Sequence, residues 1–162
     1  MENRFTSMIA GQLHQEHLAA MGILGRLDTA LASGNRRQQA VPVFNDLVAA
    51  LEGEVIPHFR FEEVALFPRL ARAGEPDIGL LLGEEHGVMM PLMEDICDLV
   101  KEDSRDPLKD DDWQRLCRLG RELVERLVSH IQKEEMGLLP MVEATLDASE
   151  DENLAQDYIF SR

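Results

Sequence analysis

The chain alternates long segments of helical periodicity with short polar breaks. In the first segment, apolar residues such as Leu13 and Leu24 recur at alternating spacings of three and four, which is typical of an amphipathic α-helix. The breaks are Ser-Gly-Asn at 33–35, Ala-Gly-Glu-Pro at 73–76 and Asp-Ser-Arg-Asp-Pro at 103–107. Because such residues interrupt helices, three breaks predict four helices of about 25 to 35 residues each.

The predicted fold class is all-α. Short connections between long amphipathic helices favour an up-down-up-down antiparallel four-helix bundle, which we expect over residues 1–147. Residues 148–162 are polar and acidic, and we interpret them as a C-terminal tail whose end, from Tyr158 onward, can dock back on the bundle. Pro57 and Pro91 lie inside the second and third segments, so we expect kinks there.

Composition and charge narrow the function classes. The chain has 16 Lys and Arg against 31 Asp and Glu, a net charge of −15, which argues against nucleic acid as a partner because phosphates would be repelled. No apolar run reaches the roughly 18 residues of a membrane span, and the N-terminal region shows no signal-peptide pattern. With only two cysteines, we expect no disulfide framework and a cytoplasmic location.

Six polar residues interrupt the apolar helix seams. They are His17 in the first segment, His58 and Glu62 in the second, His86 in the third, and His130 and Glu134 in the fourth. At a rise of about 1.5 Å per residue, antiparallel helices bring all six to one level in the middle of the bundle. Buried carboxylates are costly unless something compensates them, so we expect a central dinuclear metal site.

The two halves of the chain carry the same pattern. The stretch from His58 to Pro68 matches that from His130 to Pro140, each reading His-x-x-x-Glu-Glu and ending in proline. The His-x-x-x-Glu spacing places an imidazole and a carboxylate on one helical face, one turn apart. Two such helices and two single histidines supply two metals with nitrogen ligands and bridging carboxylates. This thiolate-free set favours iron or manganese, with zinc a weaker candidate; a single structural zinc ion is the alternative.

The doubled motif resembles the hemerythrin-like, HHE cation-binding family over residues 5–146. The resemblance implies a four-helix bundle with two iron ions in an oxo- or hydroxo-bridged non-haem centre. The positions that match the family's ligands are His17, His58, Glu62, His86, His130 and Glu134. Ferritin-like proteins use Glu-x-x-His instead, so the order of the residues distinguishes the two classes.

One position departs from the oxygen carriers of this family. They have a fifth ligand histidine one turn further along the third helix, where this chain has Met90. The remaining set resembles di-iron proteins implicated in nitric-oxide stress and in the repair of iron centres. We therefore keep three functions open: a protein that binds oxygen or nitric oxide for sensing, storage or scavenging; an enzyme acting on nitric oxide or peroxide; and an iron donor. A redox partner is compatible with the first two.

Several other residues lie near the predicted site. His14 is a candidate fifth ligand, a candidate base or a surface residue, and the two cysteines, Cys97 and Cys117, are interpreted as buried thiols rather than a redox pair. Methionines of the third helix are expected to pack in the core. Four glutamates beside the site are interpreted as solvated helix faces, the alternative being that they support ligand imidazoles. They are Glu16, Glu63, Glu85 and Glu135.

Overall fold

A computed structural model describes residues 4–32 and 37–160, and all the regular structure within these ranges is helical. The helices are α1 (Met8–Ala32), α2 (37–72), α3 (Asp77–Arg105), α4 (110–145) and α5 (Ala148–Phe160). The predicted all-α class is confirmed, and the predicted break at 33–35 lies outside the described residues. Among the described helices, none combines the length and apolar character needed to cross a membrane.

The four long helices form a closed ring of neighbours, since α1 and α3 each pack against both α2 and α4. Two contacts show how α1 and α2 run. Arg26 Nη2 lies 2.6 Å from Asp46 Oδ2, and nearer the start of α1 the ring centroids of His17 and His58 are 5.1 Å apart. The two helices are therefore antiparallel. The same relation holds for α3 and α4, through the pairs Asp95 with Arg115 and Glu85 with His130.

Apolar side chains form two core clusters, one on each side of the polar level. On α1, for example, Leu13 belongs to one cluster and Leu24 to the other, with His17 between them. On α3, Leu82 and Met89 flank the buried His86 in the same way. The predicted site residues of α1 and α3 thus lie at the boundary between two apolar clusters.

Three π-helical segments interrupt α2 and α4. They are Leu51–Val55, Glu62–Leu66 and Glu134–Leu138. A proline follows each segment, at 57, 68 and 140, and lacks the N–H that the carbonyl four residues earlier would accept. A π-turn relieves this conflict because its hydrogen bonds reach to the fifth residue, as from Phe67 N–H to Glu62 O. By contrast, α3 stays α-helical through Pro91. The helix is irregular before Pro57 and regular at Pro91, and the kinks expected at these two positions stay predictions.

The segment interpreted as an acidic tail contains helix α5, which packs against the bundle. Leu154, Ala155 and Tyr158 join the same core cluster as the start of α1, whereas Phe160 is exposed. Asp151 accepts hydrogen bonds from the backbone N–H groups of Met8 and Ile9 and from the Ser7 hydroxyl, at 2.7 to 3.0 Å. An α5 carboxylate therefore caps the N-terminus of α1, where unpaired N–H groups and the helix dipole favour negative charge.

Candidate metal centre

The six predicted site residues come together, all buried, between the four long helices. Glu134 Oε2 lies 2.7 Å from His17 Nε2, and its Oε1 lies 2.7 Å from His130 Nε2. Glu62 Oε1 lies 3.3 Å from His58 Nε2, and its Oε2 lies 3.4 Å from His86 Nε2. Each carboxylate thus lies between two imidazoles that come from different helices.

The donor atoms form two overlapping groups, within each of which all atoms lie within 4.8 Å of one another. One group contains Glu62, His86, His130 and Glu134, and the other contains His17, His58 and Glu134. Glu134 belongs to both groups, and Glu62 also approaches His58 of the second. Each of the two groups could hold a cation.

A second layer of four glutamates surrounds the histidines. Each histidine has its Nδ1 within 2.7 to 2.9 Å of one glutamate oxygen. The pairs are His17 with Glu135, His58 with Glu16, His86 with Glu63, and His130 with Glu85. Our interpretation of these glutamates as solvated helix faces is therefore wrong for Glu16, Glu85 and Glu135, whereas Glu63 is exposed and also contacts His86. Each is the chain neighbour of a buried histidine or glutamate, so it projects from the flank of its helix toward the histidine of an adjacent helix.

These hydrogen bonds determine what the histidines present to the centre. A carboxylate can only accept, so each Nδ1 donates its hydrogen, and the neutral imidazole has a lone pair on Nε2. The Nε2 atoms of His86 and His130 face each other at 3.0 Å. His17 Nε2, His58 Nε2 and both oxygens of Glu62 are buried, and although they lie close to one another or to Glu134, none of them makes a hydrogen bond of normal geometry within the described residues. Converging lone pairs and carboxylates that lack donors fit bound cations, which would satisfy all of them at once.

Titration of the metal-free cluster follows from the same contacts. Burial and the positive charge of His130 lower the pKa of His86 to about 3, so its imidazole stays neutral. Burial opposes a charge on His58, but the Glu62 carboxylate and the hydrogen bond to Glu16 raise its pKa well above the usual value. Burial and the nearby Glu134 raise the pKa of Glu62. Protons therefore hold part of the cluster together until a cation displaces them.

Apolar side chains lie beside the centre. The Phe59 ring stacks on His86 with centroids 3.7 Å apart. A cavity of about 20 Å³ adjoins His17 and His58, with Val55, Phe59 and Leu127 in its wall. A volume of this size holds about one water-sized molecule.

The remaining candidates lie outside the centre. His14 Nδ1 is 2.9 Å from Glu135 Oε1, and His14 belongs to neither group of donor atoms. Met90 is half-buried against the core cluster that contains Met89. Cys97 and Cys117 are buried free cysteines, and burial raises the pKa of both thiols, which agrees with their interpretation as buried thiols.

The chain combines a helical bundle with a buried cluster of histidines and glutamates that could hold a metal ion. These two features are typical of cation-binding helical proteins. The family model for the hemerythrin HHE cation binding domain matches residues 8–143, so the chain belongs to this family. The matched range includes all six buried residues of the cluster, and α5 begins after it. Comparison with curated proteins and with solved structures gives no match.

Proposed function

We propose that the protein binds two iron ions at the centre of an up-down-up-down four-helix bundle. The histidines would be terminal ligands, and the two glutamates would bridge the ions. The ligands would be His17, His58, Glu62, His86, His130 and Glu134. One observation carries the proposal: four imidazoles, each oriented by its own glutamate, turn their Nε2 atoms toward two buried carboxylates.

Iron is the metal that best suits this set. The cluster offers nitrogen and oxygen ligands without a thiolate, which disfavours the sites typical of structural zinc. Membership of a cation-binding family is consistent with this choice. Manganese and zinc are the weaker candidates.

We further propose that the centre binds a small diatomic ligand, oxygen or nitric oxide, for sensing, storage or scavenging. Four nitrogens and two bridging carboxylates would not fill all the coordination positions of two iron ions. The open positions could take such a gas, for which iron would supply the affinity. The adjoining cavity of about 20 Å³ has room for a small ligand and little more. The apolar wall, which includes Phe59 and Leu127, would exclude bulk water.

A second candidate is an enzyme that acts on nitric oxide or peroxide, in which case a redox partner would supply electrons. Hydrogen-bonded side chains connect the cluster to the surface, which favours this candidate. Glu85 contacts both His130 and the exposed Lys133, and the half-exposed Glu63 contacts His86. Carboxylates placed in this way can carry protons between solvent and a buried site. The third candidate, an iron donor, would require iron that dissociates readily.

An optical titration separates these functions. The protein is loaded with ferrous iron under anaerobic conditions, exposed to oxygen and then returned to anaerobic buffer. A charge-transfer band that appears and then disappears supports reversible binding. A band that persists supports nitric-oxide or peroxide chemistry instead. Absence of any band at every iron concentration would contradict the di-iron proposal.

A further inference from the structure

Helix α5 reaches the metal centre through one side chain. The Tyr158 hydroxyl donates a hydrogen bond to Glu16 Oε2 at 2.6 Å, and the same oxygen accepts from His58 Nδ1 at 2.8 Å. Tyr158 is 1% exposed, and its ring packs against Phe61 with centroids 4.3 Å apart. Tyrosine, glutamate and histidine thus form a buried chain of hydrogen bonds that ends at a proposed ligand.

This chain of hydrogen bonds breaks the internal symmetry of the bundle. Glu85 occupies in the second half the place that Glu16 occupies in the first, since each precedes a buried histidine in the chain. Beyond its histidine contact, Glu85 meets the exposed Lys133. Glu16 Oε2 instead accepts from Tyr158 in the interior, and its other oxygen, Oε1, accepts from Gln12 of the same helix. The side chain of Glu85 is 26% exposed and that of Glu16 only 9%. The layer of glutamates around the centre is therefore covered by α5 beside Glu16 and reaches the surface at Glu85.

The hydroxyl of Tyr158 is held firmly enough to orient its neighbour. Asp151, two helical turns earlier on α5, anchors this helix to the N-terminus of α1. Glu16 lies further along α1, so the two helices are joined at two levels. Packing against Phe61, the residue before Glu62, fixes the ring. A side chain locked by packing and hydrogen bonds is what a ligand-supporting layer requires.

We propose that Tyr158 is a positioning residue of the metal centre, acting through Glu16 on His58. The inference rests on the proposed function, because it assigns His58 as a ligand. The hydroxyl keeps the Glu16 carboxylate turned inward, and Glu16 keeps the hydrogen of His58 on Nδ1 and the lone pair on Nε2. Helix α5 lies outside the part of the chain that matches the family, and by this assignment it contributes to the metal centre.

The experiment compares iron release from the wild type and from Tyr158→Phe. Both proteins are loaded with ferrous iron, and a chromogenic chelator records the rate at which each ion leaves. The variant keeps the ring against Phe61 and loses only the hydroxyl. We expect one of the two ions to leave about tenfold faster, at the lower end of the ~10–100-fold range for supporting partners of metal ligands. In a Glu16→Gln background the same substitution should add nothing further.

The control is Leu154→Ala, which loosens the packing of α5 and keeps the hydroxyl. Release that is equally fast in this control, or unchanged in Tyr158→Phe, would overturn the assignment. A wild type that retains no iron would overturn the proposed function instead. In that case the role of Tyr158 is tested on the metal-free protein. Its His58 Nδ1 proton, observed by nuclear magnetic resonance, should exchange faster in Tyr158→Phe than in Leu154→Ala. Equal exchange in the two variants would contradict the role of Tyr158.

Discussion

At the scale of single residues, Glu62 is a side chain that is costly to bury. It is 0% exposed, neither of its oxygens has a hydrogen-bond partner within the described part of the chain, and Glu134 lies in the same cluster. Burial and the charge of Glu134 raise its pKa, which means that the fold disfavours its ionised form. Stability alone would not select such a residue, whereas the proposed bridging role between cations would account for it.

This reasoning predicts opposite roles for two adjacent glutamates. Glu62→Gln should abolish binding of at least one iron ion without lowering the melting temperature of the metal-free protein. The stability should persist because the substitution removes a carboxylate that the fold disfavours. The measurements are iron content after gel filtration and thermal unfolding in the presence of a chelator.

Glu63→Gln is the matched control, because Glu63 is half-exposed and contacts Nδ1 of His86, the nitrogen that points away from the cluster. It should retain both ions, with affinity weakened by ~10–100-fold. Equal iron content in the two variants would mean that the wrong carboxylate has been placed between the metals.

The sequence was informative about the inner residues of the site and misleading about the outer ones. His17 and Glu134 stand out because polar residues interrupt an apolar seam, and the structure brings them together; their role as ligands stays a prediction. Glu16 and Glu135 lie one residue away from the seam, where solvated glutamates are common. Whether such a side chain turns inward depends on the rotation of neighbouring helices, which periodicity does not specify. The repeated Glu-His and Glu-Glu pairs were the available signal.

At the scale of helices, α2 and α3 approach each other closely at Gly79. A Cβ atom at this position would lie 2.8 Å from Phe67 Cβ. The Phe67 ring stacks against His86, with centroids 5.8 Å apart. The close approach therefore helps to place a histidine of the cluster.

Gly79→Ala should destabilise the protein by about 1–3 kcal/mol, because α2 and α3 must move apart to admit the methyl group. Gly83→Ala is the control in the same helix, since a methyl group there would meet no other helix among the described residues within 4 Å. It should raise stability by up to about 1 kcal/mol through helix propensity alone. Urea unfolding of the two variants measures both effects, and a loss of similar size at both positions would contradict the close approach.

Helix α5 shows the limit of prediction from local pattern. Its sequence is polar and acidic, and its apolar contribution to the core comes from Leu154, Ala155 and Tyr158. The contact between Asp151 and the N-terminus of α1 joins residues that are more than 140 positions apart. Tertiary contacts of this kind stabilise a helix that propensity and periodicity do not indicate. The long helices were predictable because each carries its own apolar seam.

At the scale of the whole molecule, charge and pH couple the fold to its metal. In the metal-free protein, burial lowers the pKa of His17, His58 and His130, but the nearby carboxylates raise it more. A raised histidine pKa stabilises the fold below the ordinary value of about 6.5 and ceases to do so as pH rises through the folded-state value. Cations bound at the same nitrogens would have to displace these protons.

The stabilisation conferred by metal should therefore increase with pH. We expect the melting temperature of the loaded protein to exceed that of the metal-free protein by a larger margin at about pH 8 than at about pH 6. Thermal unfolding of both forms at the two pH values tests this. A constant margin would mean that metal binding displaces no protons from the cluster.

The most direct test of the central claim is the number of iron ions that each chain retains. The protein is loaded with ferrous iron under anaerobic conditions, freed of excess metal and analysed for iron and protein. We predict two ions per chain in the wild type and in His14→Ala, whose side chain lies outside both groups of donor atoms. His130→Ala should retain fewer than two ions and lose the stabilisation that metal confers. Fewer than two ions in the wild type, or two ions in His130→Ala, would contradict a di-iron centre at this cluster.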